Sequence, residues 1–308
     1  MVRNGFVEGH HYGSLLAITS NGARVLAAGS PDAAMFPRSA NKPLQAVGML
    51  EAGLDVDGKL LALVCASHSG EAFHLEGARA LLTGAGLSEG DLQTPAELPV
   101  EAHERLAYVA AGGHPTPLAM NCSGKHAAML ATCVANNWPT DTYRDLQHPL
   151  QQRLRGTVER LAGEPIVAVG VDGCGAPLFA LSLAGLARAF SAVATAAIGT
   201  PEHRVADAMR CHPDWVGGTR RDVSRLMAGV PGLVAKDGAE GVYAAALPDG
   251  GAAALKIDDG AARARPPVLV AALRALGVSA PVLDELAELP VLGGGEQVGA
   301  LRCVLAGA

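Results

Sequence analysis

At 308 residues the chain is long enough to bury a full hydrophobic core, as one large domain or two sub-domains sharing an interface. A formal net charge of −6 with no basic cluster excludes a nucleic-acid surface, and an apolar fraction of 49% excludes wholesale disorder. No apolar run reaches the ~18 residues of a membrane span, the first residues lack the apolar stretch of a secretory signal, and the six cysteines are scattered without a Cys-x-x-Cys pair, so the expectation is a soluble, cytoplasmic protein with reduced thiols.

In chain order, the first 35 residues read as antiparallel β-structure. Tyr12–Thr19 is a largely apolar strand, Ser20-Asn21-Gly22 a turn, and Ala23–Ala28 the return strand. After Pro43 the apolar residues Leu44, Val47 and Leu50 predict a helix, while Pro43 itself disfavours the helical region for Lys42. From Leu60 to about Gly163 the pattern is mainly helical. Helices are predicted over Glu71–Ala85, Lys125–Asn136 and Pro149–Leu161, separated by proline-rich joints near Pro95–Pro99 and Pro115–Pro117. Ile166–Val171 reads as a short buried strand or extended approach, Phe179–Phe190 as an apolar helix, and Thr200-Pro201 as the capped start of a helix to about Arg210. The chain then returns to strands at Leu233–Ala235, Gly241–Leu247 and Ala252–Ile257, and closes with a helix over Pro267–Leu276 and a strand over Gln297–Leu305. Strands at both ends around a helical middle predict an α/β fold with an antiparallel sheet made from both chain ends. The corresponding sub-domains are about 1–40 plus 230–308 for the sheet and about 41–229 for the inserted, mainly helical part.

The central motif is Phe36-Pro37-Arg38-Ser39-Ala40-Asn41-Lys42-Pro43. Three residues apart on one helical turn, Ser39 and Lys42 would share a face, where a partly neutral amine could take the hydroxyl proton. With five lysines in the chain, roughly 0.2 chance matches to Ser-x-x-Lys are expected, so a capping serine beside a surface lysine is the competing reading. In Cys65-Ala66-Ser67-His68-Ser69-Gly70-Glu71, Ser67 or Ser69 either caps the next helix or supplies a second hydroxyl opposite Ser39. Lys236-Asp237-Gly238 follows a short strand, where a lysine beside a glycine could stabilise charge on a substrate lying against the backbone, or simply form a turn. Ser-x-x-Lys, a loop serine, then Lys-x-Gly is the order of parts in serine β-lactamases and penicillin-binding proteins, although Asp237 stands where those have threonine. Finally, Cys122 and Lys125 would share the first turn of a helix, and the glycine-flexed loop around Cys174 could bring a second thiol to them. Two thiolates and a third donor can hold Zn²⁺ with one open position if Lys125 is neutral, and two buried thiols in tight turns are the alternative.

Taken together, these motifs resemble the Rhizobium etli-type (class 3) L-asparaginases, the asparaginase II family. The segments that carry the resemblance are the Ser39 motif, Ser67-His68-Ser69-Gly70-Glu71, Cys122-Ser123-Gly124-Lys125-His126, Val171-Asp172-Gly173-Cys174-Gly175 and Lys236-Asp237-Gly238-Ala239-Glu240-Gly241. The resemblance implies a serine β-lactamase/glutaminase-like fold, a homodimer, and hydrolysis of L-asparagine by two Ser–Lys tandems. One tandem would be Ser39 with Lys42, the other Ser67 with Lys236. It also implies a zinc ion on Cys122, Lys125 and Cys174. Arg38 and Asp172 are expected to face the substrate carboxylate and ammonium, with Ser69 as a further substrate contact. The rival readings are a β-lactamase-like esterase or acyltransferase, and a non-catalytic module that binds an amino acid.

Overall fold

Because alternate residues of a strand face opposite sides of a sheet, a strand buried at consecutive positions must be covered on both faces. Val234–Asp237, Val242–Ala246 and most of Ala252–Ile257 are buried in this way. In the computed structural model, which describes residues 1–305, they join Gly13–Ile18 and Arg24–Ala28 in one five-stranded antiparallel sheet. Its order runs from Arg24–Ala28 through Gly13–Ile18, Ala252–Ile257 and Val242–Ala246 to Val234–Asp237, so the first and last parts of the chain are hydrogen-bonded side by side. The helices Leu183–Ala194 and Arg265–Ala275 pack against it. A smaller four-stranded sheet joins Val2–Arg3 and Phe6–Val7 to Glu288–Gly293 and Glu296–Arg302.

The helical middle includes Lys42–Glu51, Gly58–Val64, Ala72–Gly84, Ser123–Ala135, Pro149–Ala162 and Pro201–Cys211. Thr200 caps the last of these, its side chain accepting the amide of His203. Among the described residues no helix is long and apolar enough to cross a membrane.

Three local expectations are corrected. Phe179–Phe190 is not one helix: Pro177–Ser182 is a strand paired with Ala168–Val171 and Ala34–Met35, and the helix starts only at Leu183, capped by the Ser182 side chain. A continuous apolar run has no period to distinguish the two forms, and the available pairing partners decide. The strand at Ala168–Val171 is not buried, because it is the edge of that three-stranded sheet, with Val171 79% exposed. Lys42 adopts helical angles (φ −59°, ψ −39°) despite the proline after it, continuing a 3₁₀ turn over Arg38–Asn41 into the helix.

The strand assignment for Phe179 leads to a stability prediction. Its ring is wholly buried between the small sheet and the helices, so Phe179→Ala should lower unfolding stability by about 3–5 kcal/mol, read as a reduced urea midpoint.

Candidate active site

The Ser39 turn is held by strained and close-packed backbone. Arg38 sits in the left-handed region at φ 51°, which non-glycine residues rarely adopt and which tends to mark functional turns. Gly238, at the end of strand Val234–Asp237, lies against the same turn: a Cβ there would come within 2.6 Å of the Pro37 carbonyl oxygen and 3.2 Å of the Ala40 nitrogen. The close approach that this glycine allows is therefore to the chain's own nucleophile turn. Ser39, Ser67, Asn121, Asp237 and Gly238 line one cleft of about 540 Å³.

Two lysines lie behind this cleft. Lys42 is 1% exposed, and its Nζ donates to the Ala66 carbonyl at 2.5 Å and to Ser67 Oγ at 3.0 Å. The hydroxyl it reaches is thus Ser67, 25 residues away, and not Ser39. Lys236 is 0% exposed and donates to the Asp237 carbonyl at 2.7 Å and to Asp237 Oδ1 at 2.6 Å. The expected couples, Ser39 with Lys42 and Ser67 with Lys236, therefore share one site but are not joined pairwise by hydrogen bonds. Burial lowers the Lys236 ammonium to about 8, against the opposing pull of Asp237 and with repulsion from Lys42 adding to the effect.

Asp237 is the hub of a buried ion cluster that sequence reasoning missed. Arg221 reaches its other oxygen at 2.6 Å and Arg265 at 3.5 Å, and Arg221 also pairs with Glu101 at 3.0 Å. Burial works to raise the Asp237 carboxyl, but Lys236, Arg221 and Arg265 outweigh it and keep the group ionised. Only Asp237, beside a motif lysine, gave a sequence signal. Nothing in the Arg220-Arg221-Asp222 run points to it.

The remaining expected residues fall into two groups. Ser69 Oγ donates to Glu71 Oε1 at 3.1 Å and its amide donates to Gly217, so it ties a loop and is not among the residues lining the cleft. Arg38 Nε pairs with Asp172 Oδ1 at 2.8 Å, so each satisfies the other. Near them, Lys125 Nζ donates to Cys174 Sγ at 3.3 Å, and Cys122 and Cys174 pack with Met120 and Ala176 in a small buried cluster. Contact with Cys122, assisted by the Lys125 ammonium, holds Cys174 below the ordinary thiol range against burial, while that same contact and burial raise Cys122. Burial also lowers His126 to about 4, leaving a neutral imidazole whose Nε2 has no hydrogen-bond partner.

Among the described residues no three His, Cys, Asp or Glu side chains are arranged to hold a metal ion. The expected donor set instead counts an amine, and two thiols with a lysine do converge here. In donor chemistry they fit a three-ligand zinc site with an open position.

A cleft lined by two serines with two lysines buried behind it holds the residue types that covalent catalysis by a hydroxyl uses. The chain belongs to the L-asparaginase II family, whose profile matches residues 1–303. Membership supports amidohydrolase chemistry. The structure is similar to that of Mglu in its native form, at 16% identity and a TM-score of 0.45 over 85% of this chain. Another similar structure is EstCE1, described as a hydrolase with promiscuous acyltransferase activity, at 13% identity and a TM-score of 0.41 over 80% of this chain and 88% of its own. The match spans 62% of the Mglu chain. No curated protein matches the sequence.

The contact at Gly238 is directly testable. Gly238→Ala should displace the Ser39 turn and lower kcat/KM for amide hydrolysis by about a hundredfold, with the far-ultraviolet circular dichroism unchanged.

Proposed function

We propose that the protein hydrolyses the side-chain amide of L-asparagine, releasing ammonia and L-aspartate through an acyl-enzyme on Ser39. The observation that carries this reading is the shared cleft, with Ser39 and Ser67 on its wall and Lys42 and Lys236 sealed behind. Ser39 Oγ bonds to the amide carbon while its proton passes to Lys42, whose amine is already anchored beside Ser67. The C–N bond then breaks, and Lys42 returns the proton to the departing nitrogen to give ammonia. Ser67 and Lys236 relay protons, and a backbone N–H of the Ser39 turn stabilises the tetrahedral oxyanion. Water, deprotonated in turn, attacks the ester and frees aspartate and Ser39.

Cys122, Cys174 and Lys125 would hold zinc in this reading, with Lys125 losing its proton to become a ligand. Zinc, when bound there, supplies a Lewis acid that positions substrate and orders the two thiol loops, since Ser39 already provides the nucleophile. Arg38 and Asp172 would orient the amino-acid end of the substrate by exchanging their mutual contact for its carboxylate and ammonium. The working form would be a homodimer, as the family resemblance implies, and its place the cytoplasm, as the scattered, unpaired cysteines imply.

Ser39→Ala should reduce ammonia release from L-asparagine at least about a thousandfold. Near-full activity in that variant overturns the nucleophile assignment, and turnover of nitrophenyl esters or a β-lactam in place of asparagine overturns the substrate. Elemental analysis of protein purified without chelator should find zinc, which Cys122→Ser together with Cys174→Ser should remove. Since Lys236 must be neutral to accept a relayed proton, kcat/KM should rise with pH through about 8 as the ammonium deprotonates. A profile flat from pH 7 to 9 would contradict that role.

A further inference from the structure

Lys236 points its amine at its own neighbour. Both of its hydrogen bonds go to Asp237, one to the backbone oxygen at 2.7 Å and one to Oδ1 at 2.6 Å. Oδ2 of the same carboxylate is taken by Arg221 at 2.6 Å and Arg265 at 3.5 Å. Arg221 precedes the helix Asp222–Gly229, and Arg265 begins the helix Arg265–Ala275, so three elements distant in sequence meet on one carboxylate. An isolated buried carboxylate costs several kcal/mol, and a single lysine would be enough to offset its charge. Two further guanidiniums reach it as well, Arg221 shared with Glu101 and Arg265 with the Gly238 carbonyl, and both line the cleft together with Asp237.

We propose that Asp237 is a positioning residue that aims the Lys236 amine and sets how readily it carries a proton, while Arg221 and Arg265 limit how much of the carboxylate's charge the lysine feels. This rests on the reading of Lys236 as part of the catalytic site. The charged and titratable groups around Lys236 are Asp237 on its own strand, Lys42 at the start of the helix Lys42–Glu51, Arg221, and Cys65 after the helix Gly58–Val64. Those around Asp237 include Asp222 and Tyr243 besides the arginines.

The signs are opposite for the two kinds of variant. Removing the carboxylate charge withdraws support from the ammonium, so in Asp237→Asn the rising limb of kcat/KM moves toward acid by about 1–3 pH units. Removing a guanidinium withdraws repulsion and frees the carboxylate for the lysine, so in Arg221→Met the limb moves toward alkali. A merely structural ion cluster would lower kcat or the melting temperature in both variants without moving the limb in opposite directions. The experiment is the pH profile of ammonia release from L-asparagine for wild type, Asp237→Asn, Arg221→Met and Lys236→Met. Opposed displacements support the inference, and displacements in one direction, or none, overturn it. Should Asp237→Asn fail to fold with its arginines unpaired, Arg221→Met decides alone: an alkaline displacement supports the inference and an unmoved limb overturns it. Full activity in Lys236→Met overturns the catalytic reading and the inference with it. An inactive Lys236→Met combined with unmoved limbs in the other two overturns the inference alone.

Discussion

Two lysine side chains removed almost entirely from water constrain the rest of this structure. A cation without water must be paired, hydrogen-bonded or neutral, and each outcome fixes its neighbours. Lys42 is satisfied by a carbonyl and a hydroxyl, which pins the segment Ala66–Ser67 to the start of the helix Lys42–Glu51. Lys236 is satisfied by Asp237, and the charge on Asp237 brings in Arg221 and Arg265. The sheet edge, the Ser39 turn and the starts of two helices are therefore positioned by the same small set of charges. The apolar core explains why these elements are stable. The lysines explain why they meet where they do.

Much of this was legible in the sequence, and the limits are physical. The strands at Gly13–Ile18 and Ala252–Ile257 announce themselves by apolar runs bounded by turn residues, and Pro149–Ala162 by a clean stripe of Leu150, Leu154, Val158 and Leu161. The apolar segment after Cys174 does not, since an all-buried strand and a buried helix look alike until a partner strand is known. The motif residues were visible as chemistry, because serine, lysine and cysteine at these spacings are uncommon in a chain with so few lysines. Which hydroxyl each amine would reach was not. The Lys42 contact with Ser67 spans 25 residues and depends on the loop register set by the bonds from the Ser67 amide to Val216 and from the Ser69 amide to Gly217. The roles foreseen for Arg38 and Asp172 likewise assumed free side chains, and only tertiary structure could reveal that the two pair across 134 residues.

The two chemical centres are built differently. The serine–lysine site spreads over the sheet edge, the turn and two loops, and most of its polar atoms have partners. The thiol site is compact, with Cys122 and Cys174 nearly inaccessible and a neutral His126 beside them. Asn121 bridges the two, lining the cleft while its side-chain oxygen accepts from the Cys122 thiol at 3.2 Å. A change in the thiol loops therefore reaches the cleft wall through Asn121 and the Ser39 turn through the Arg38–Asp172 pair.

The lodging of Gly238 against Pro37 and Ala40 joins points two hundred residues apart, and it has a consequence for how the protein is made. Until the ribosome has delivered the residues around Gly238, the seryl turn lacks the strand that braces it, and the amine of Lys236 has not yet been synthesised. Contacts of such long range form late and depend on completion of the polypeptide. A product terminated before Gly238 would carry the Ser39 turn without its support.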